Sequence, residues 1–334
     1  MVDLQRLAAW MDGQELGSGE ITDVVGLTGG TQNILLRFHR AGRDYVLRRP
    51  PEHKRANSDE TMRREARVLA ALAGTDVPHP GLIAACPHTD VLGAAFYLME
   101  PVDGVNPAEE MPERLGTDPQ WQYRLGLSMV DGIAALSRVD LAARGLTDFG
   151  RAEGWLERQV ARWRRQLDSY ADIANYPGPS LPHLDRVAHW LDANRPRTWR
   201  AGLLHGDVHF ANVLIRRDAP ELAAFVDWEL ATVGDPLLDL GHMLATWPAR
   251  ESTVARLELP YLPEQEVIIE RYAEQSGRDV TDVTWFVVLA CYRLGIILEG
   301  SYARMLAGLT TAEVGERLGR NGRALLEQAH EITG

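Results

Sequence analysis

Cysteine is nearly absent. Cys86 and Cys291 are the only two, with no CxxC and no metal-ligand spacing, which excludes a disulfide framework and a structural zinc site. Positive charge is short as well: 35 Lys and Arg face 47 Asp and Glu, a formal net charge of -12. Phosphate backbones recruit clustered cations, so no nucleic-acid partner is expected. Solubility accounts for the acidity as readily as a cationic substrate does. Long apolar runs are missing too. The stretch "WFVVLACYRLGIIL" is short and broken by Arg293, and the opening "MVDLQRLAAWMDG" alternates charged and apolar residues where a signal peptide carries an apolar core. A cytoplasmic location without membrane contact is expected. Low-complexity tracts and internal repeats are lacking.

What is present is an ordinary globular composition, 45% hydrophobic and 25% charged over 334 residues, enough for a large core in two domains or one. Residues 3–12 read as an amphipathic helix. From Val24 to Arg49 two runs of apolar, β-branched and aromatic residues flank "HRAGR", which predicts strands, a glycine turn and a hairpin. Asn57 or Ser58 can cap a helix that carries Asp59 and Glu60 in its first turn and ends near Gly74. "AAFYLMEPVDGV" supplies a further strand, and Pro101, Gly104 and Pro107 mark a connector, so the boundary is placed between 1–101 and 102–334. Beyond it "WQYRLGLSMVDGIAALSRV", "GWLERQVARWRRQLDSY", "PHLDRVAHWLDANRP" and three C-terminal segments have helical period. "NVLIRR" and "AAFVDWE" form a hairpin among them.

The polar residues of "LLHGDVHFANVLI" stand out because polar groups between apolar runs are costly unless paired or employed. Asp207 and Asn212 have the spacing D-x-x-x-x-N, and Asp227 follows on the second hairpin strand. Phosphoryl transfer from a nucleotide needs such a set: a carboxylate to orient an attacking hydroxyl and take its proton, and oxygen ligands for magnesium on the phosphates. Asp207 is then the base, Asn212 and Asp227 the metal ligands, and Glu229 a helper through water. His205 and His209 are four apart, but Gly206 disfavours the helix a zinc pair needs, and HExxH is absent.

"HGDVHFANVLI" followed by "FVDWELATVGDPLLDL" resembles the catalytic region of the aminoglycoside phosphotransferase and choline kinase superfamily, with its HGDxHxxN, IDW or IDF, and GDPxxDLA segments. The resemblance implies an α+β, two-lobed, protein-kinase-like fold with a small antiparallel-sheet lobe and a larger helical lobe. By it Asp207 is the catalytic base, Asn212 and Asp227 bind Mg2+, and Asp239 braces the loop, while His205 and His209 shape it. "GLTGGTQNILLRF" takes the place of the phosphate loop, with Thr28, Gly29, Gly30 and Thr31 at the nucleotide. In "YVLRRPP" alternation places Val46 and Arg48 on one face. Arg48 stands where kinases carry lysine, Glu65 is the matching helix residue, and arginine is longer and forked. "FYLMEPVDG" resembles the interlobe hinge, where backbone groups near Glu100 and Val102 meet adenine.

Helices such as "WLERQVARWRRQL" and "YRLGIILEGSYARM" resemble most closely a subgroup found alone in bacteria and fused to acyl-CoA dehydrogenases in larger proteins. The implied reaction is Mg2+-dependent transfer of the ATP γ-phosphoryl group to a small-molecule hydroxyl, with GTP left open. Candidate acceptor residues are Asp103, Tyr292, Arg293, Glu299, Tyr302 and Arg304, and no dense acidic cluster for an aminoglycoside is evident. A hydroxyacyl thioester is one acceptor class, an aminoglycoside another. Two other classes of function stand beside this one: a nucleotide-binding pseudokinase scaffold, motivated by Arg48, and a metal-dependent phosphoesterase.

Overall fold

A computed structural model describes residues 2–27, 33–52, 54, 57–248 and 257–334. The first helix, α1 (Leu4–Gly13), starts where Asp3 accepts hydrogen bonds from the N–H groups of Gln5 and Arg6, satisfying two of the donors a helix leaves open. Five strands follow, β1 (Thr22–Gly26), β2 (Ile34–Arg40), β3 (Arg43–Arg49), β4 (Leu82–Cys86) and β5 (Phe96–Met99), with α2 (Ser58–Leu72) between β3 and β4. They form one antiparallel sheet in the order β1-β2-β3-β5-β4. Strand alternation divides its faces. Tyr45, Leu47, Phe96 and Leu98 pack with Leu7 and Met11 of α1, whereas Val46, Arg48, Tyr97 and Met99 turn toward the cleft.

The expected cap of α2 is not used: Asn57 makes no side-chain hydrogen bond to the helix. Asp59 instead accepts from the Ala95 N–H at 2.9 Å and from Lys54, tying helix to sheet. Arg64 of α2 donates to the carbonyls of Phe149 and Ala231, both at 3.1 Å, and lies over the Phe149 ring. Those contacts bind α2 to the helical lobe and set the position of its neighbour Glu65.

The helical lobe holds α3 (Glu113–Thr117), α4 (Pro119–Ser137), α5 (Gln159–Asp168) and α6 (Leu184–Ala193). Then come β6 (Gly202–Leu204), β7 (Val213–Ile215), β8 (Leu222–Phe225), β9 (Thr232–Gly234) and α7 (Leu237–Ala245). Helices α8 (Gln265–Ser276), α9 (Val283–Leu306) and α10 (Ala312–Thr333) complete it. The fold is thus the expected α+β one, a five-stranded antiparallel lobe on a helical lobe.

Three local expectations need correction. The segment "GWLERQVARWRRQLDSY" is helical only from Gln159, because Gly154 turns at φ +58° and Trp155 is drawn into the core beside Trp199 and Phe286. The hairpin forms as β7 against β8, but its second strand ends at Phe225, so Asp227 lies beyond it. The short pair β6 and β9 went unanticipated, since three-residue strands carry too little period to read.

Helix α9 is long and apolar enough to cross a membrane by length and composition, yet 83% of its most apolar window is buried inside the protein. Arg293 survives there because its guanidinium donates to the Gly206 carbonyl, and a buried charge requires such a partner.

Candidate active site

The loop from His205 to Asn212 leaves β6 through Gly206, whose φ of +87° and 2.5 Å clearance from the Leu230 carbonyl exclude a side chain. Asp239, in the first turn of α7, accepts from the His205 N–H at 2.7 Å and the Gly206 N–H at 2.8 Å. Burial raises its pKa to about 6, against the pull of those two donors. The brace expected of Asp239 is therefore present as geometry.

His205 turns both ring nitrogens to the backbone. Its Nδ1 accepts from the Asp207 N–H at 3.3 Å and its Nε2 donates to the Val226 carbonyl at 3.0 Å. Burial lowers its pKa to about 4, so the ring is a neutral clip between the loop and the segment that carries Asp227. A second clip is the Val226 N–H, which donates to the Asn212 carbonyl at 2.9 Å. Asn212 Nδ2 donates to the Asp207 carbonyl at 3.0 Å and to Asp207 Oδ2 at 2.8 Å. Burial opposes the charge on Asp207, but the charge and hydrogen bond of His209, with His242 and Arg293 close by, hold its pKa well below the carboxylate range.

Asp227 adopts a left-handed φ of +65° as the chain enters a single turn of 3₁₀ helix, a conformation Asp tolerates better than most residues. Its Oδ1 lies 2.6 Å from Arg48 Nη2, while Arg48 Nε lies 2.9 Å from Glu65 Oε2. Tyr97 donates its hydroxyl to the same Glu65 oxygen at 2.7 Å. Burial works against the Arg48 charge, but Glu65 and Asp227 outweigh it and hold the guanidinium above its ordinary pKa. The extra length of arginine thus lets one side chain reach both carboxylates. Lys54, the single lysine of the sequence, is engaged elsewhere with Asp59.

Glu65, Asp227 and Glu229 bring carboxylate oxygens within 4.8 Å of one another. Burial and then the Asp227 charge raise the Glu229 pKa to about 7. Such a concentration of oxygen donors calls for cations, and with the Asn212 amide oxygen it suits a hard ion such as magnesium. A second group, Asp207, His209 and His242, is equally close.

A cleft of about 410 Å³ is lined by Arg48, Tyr97, Glu100, Val102, Asn212 and Asp227, among others. The expected hinge residues and oxygen ligands therefore face one space. Thr28, Gly29, Gly30 and Thr31 lie outside the described residues, although their neighbour Leu27 reaches the cleft. A second cavity, about 210 Å³, opens at His209 and is walled by Leu257, Leu294, Leu298 and Leu318. Ala211 lines both, so the catalytic loop forms the partition.

The acceptor candidates fare worse. None of Asp103, Tyr292, Arg293, Glu299, Tyr302 and Arg304 lines either cavity. Glu299 is buried, accepting from the Tyr176 hydroxyl and the Ser180 N–H, and Arg293 points at the loop rather than at an acceptor. Sequence reasoning missed His242, Tyr97 and Asn106, whose Nδ2 holds the Ala211 carbonyl at 2.7 Å. A histidine in the otherwise apolar "LLDLGHMLA" was the available signal for the first; Tyr97 and Asn106 left none.

A crystal structure of a Ralstonia eutropha protein classed with the aminoglycoside phosphotransferases is 28% identical, with a TM-score of 0.84 over 100% of this chain and 98% of that one. Aminoglycoside 2'-phosphotransferase-IIIa, solved with GDP, shares the fold at 16% identity and a TM-score of 0.64 over 98% and 99% of the two chains. Mouse acyl-CoA dehydrogenase family member 10 is 28% identical over 91% of this chain, which matches only 28% of that protein's length. The resemblance to the dehydrogenase-fused subgroup holds. Residues 23–273 run from within β1 into α8, through both walls of the cleft, and match the phosphotransferase enzyme family, to which the chain belongs.

Proposed function

We propose that the chain is a magnesium-dependent small-molecule kinase that moves the γ-phosphoryl group of ATP to a hydroxyl. The observation that carries this is the convergence of Asn212 and Asp227 in the wall of a 410 Å³ cleft, with Asn212 bonded to Asp207. The acceptor oxygen forms a bond to phosphorus as the bond to the ADP oxygen breaks, and Asp207 takes the released proton. Backbone groups at Glu100 and Val102 receive the base, and GTP fits the same description. Asn212 and Asp227, helped by Glu229, are the residues that hold Mg2+, which when bound disperses charge on the phosphates. Arg48, anchored by Glu65, turns its fork to the phosphates in place of lysine.

The second cavity supports an acceptor with an aliphatic body. Among the described residues its wall carries four leucines beside His209 and Asn321 and no carboxylate, which suits a hydroxyacyl metabolite better than a polycation. Relatives bearing an acyl-CoA dehydrogenase name agree with that choice. The test is ADP production from Mg-ATP with hydroxyacyl-CoA compounds, amino alcohols and aminoglycosides in parallel. Turnover with the first is expected; turnover with aminoglycosides alone overturns the acceptor assignment.

One observation favours a second reading. Arg48 occupies Asp227 Oδ1 at 2.6 Å, as a scaffold that binds nucleotide without transfer would permit. A thermal shift with Mg-ATP and no ADP from any acceptor selects it.

A further inference from the structure

We propose that His242, oriented by Arg293, is a positioning residue that fixes the Asp207 carboxylate for proton transfer. The proposal rests on Asp207 being the base. His242 lies on α7 with no exposed surface. Its Nδ1 is 3.4 Å from Arg293 Nη1, and a guanidinium only donates. Nδ1 is therefore the accepting nitrogen, and the proton sits on Nε2. That Nε2 is fully buried and finds no partner within good hydrogen-bond geometry; the acceptor in front of it is Asp207 Oδ1 at 3.4 Å. An unsatisfied buried donor costs about 1–3 kcal/mol, and catalytic hydrogen bonds that are long in a free enzyme shorten in the complex.

His209 faces the carboxylate from the other side. Its Nδ1 accepts from the Ala211 N–H at 3.2 Å, and its Nε2 lies 3.3 Å from the Asn212 amide nitrogen and 3.4 Å from Asp207 Oδ2. A carboxylate offers about four acceptor positions. Asn212 donates to Oδ2 and His242 takes one position on Oδ1, which leaves room on the carboxylate for the hydroxyl to be activated. Arg293 contributes twice, since its other nitrogen binds the Gly206 carbonyl and so locks the residue before Asp207 to the same guanidinium.

The three side chains are also close enough to hold a cation, yet their wiring is wrong for one. A metal-bound imidazole donates its outer N–H to an acceptor, whereas here both outer nitrogens face donors, Arg293 and the Ala211 N–H. The His242 ring proton points inward, at the carboxylate.

The test compares His242→Leu with His242→Gln, whose amide nitrogen takes the place of Nε2. ADP release from Mg-ATP is followed with 3-hydroxybutyryl-CoA and with water as acceptors. The leucine variant is expected to lose about 10- to 100-fold in kcat with KM for ATP unchanged, the scale set by a misplaced catalytic group, and glutamine to restore most of it. A rise in KM with kcat intact, or equal loss in both variants, overturns the proposal. Asp207→Asn separates the two ideas: if it abolishes turnover and His242→Leu does not lower kcat, only the positioning role fails. Independently of turnover, nitrogen shifts of labelled histidine should show His242 protonated on Nε2. Protonation on Nδ1, or micromolar zinc binding that His242→Leu removes, sinks it.

Discussion

Two polar clusters meet at the cleft, and they are built on opposite principles. Around Asp207 the partners are side chains and backbone groups of one lobe: His205, His209, Asn212 and the N–H groups held by Asp239. Around Arg48 they are full charges, with Glu65 on α2 and Asp227 across the cleft. The first cluster is preorganised by the core of the helical lobe. The second exists only while both lobes keep their relation, so it couples nucleotide binding, metal binding and stability. Chemistry is thereby separated from the joint between lobes.

The sharpest test of that separation is Asp207→Asn. It is expected to lower kcat about 10²- to 10⁴-fold, the range of a positioned base, while a thermal shift by Mg-ATP persists. Loss of nucleotide binding along with turnover would merge the clusters. Next comes Arg48→Met, which leaves Glu65 buried beside no cation and should destabilise the protein by about 3–5 kcal/mol in denaturant titration. Arg48→Lys should recover much of this and alter KM for ATP rather than kcat. Tyr97→Phe removes a buried bond to Glu65 and should cost about 2 kcal/mol, with kcat unchanged.

The smallest effect is on pH. Burial holds His205 at about 4 and His242 at about 3, below the ordinary imidazole value near 6.5. At these two positions the unfolded chain takes up protons first, so the stability they contribute is full above about pH 6.5 and falls as pH drops toward 4. Each histidine contributes a slope that reaches about 1.4 kcal/mol per pH unit between about pH 5.5 and 4.5, against the opposite contribution of Glu229 and Asp239, which burial raises to about 7 and about 6. Unfolding curves of His242→Gln should lose one of the two histidine contributions, read as the difference from the parent chain at each pH. An unchanged slope would mean that His242 carries charge in the native protein.

Much of the site was readable because its chemistry demands particular residue types at short separations. Asp207 and Asn212 belong to one loop, and Asp227 follows it on the segment clipped to that loop. Strand alternation put Arg48 on one face with Val46, and the family resemblance paired it with Glu65. The acceptor candidates miss the second cavity for an equally physical reason: on α9 charged and aromatic side chains share helical spacing with leucines, and period cannot say which face meets a cavity. Leu294 and Leu298 reach it; Tyr292, Arg293 and Glu299 do not.

From the chain alone came the donor set, its order and the two-lobed plan, since spacing along a strand, a loop or a helix is a property of covalent geometry. Only the tertiary structure decided that Arg48 spans 179 positions to Asp227, that Arg293 reaches back 87 to Gly206, and that His242 turns its Nε2 to Asp207. The first joins the two lobes and the other two arise where α7 and α9 pack behind the loop; long-range packing fixes directions that local sequence leaves free.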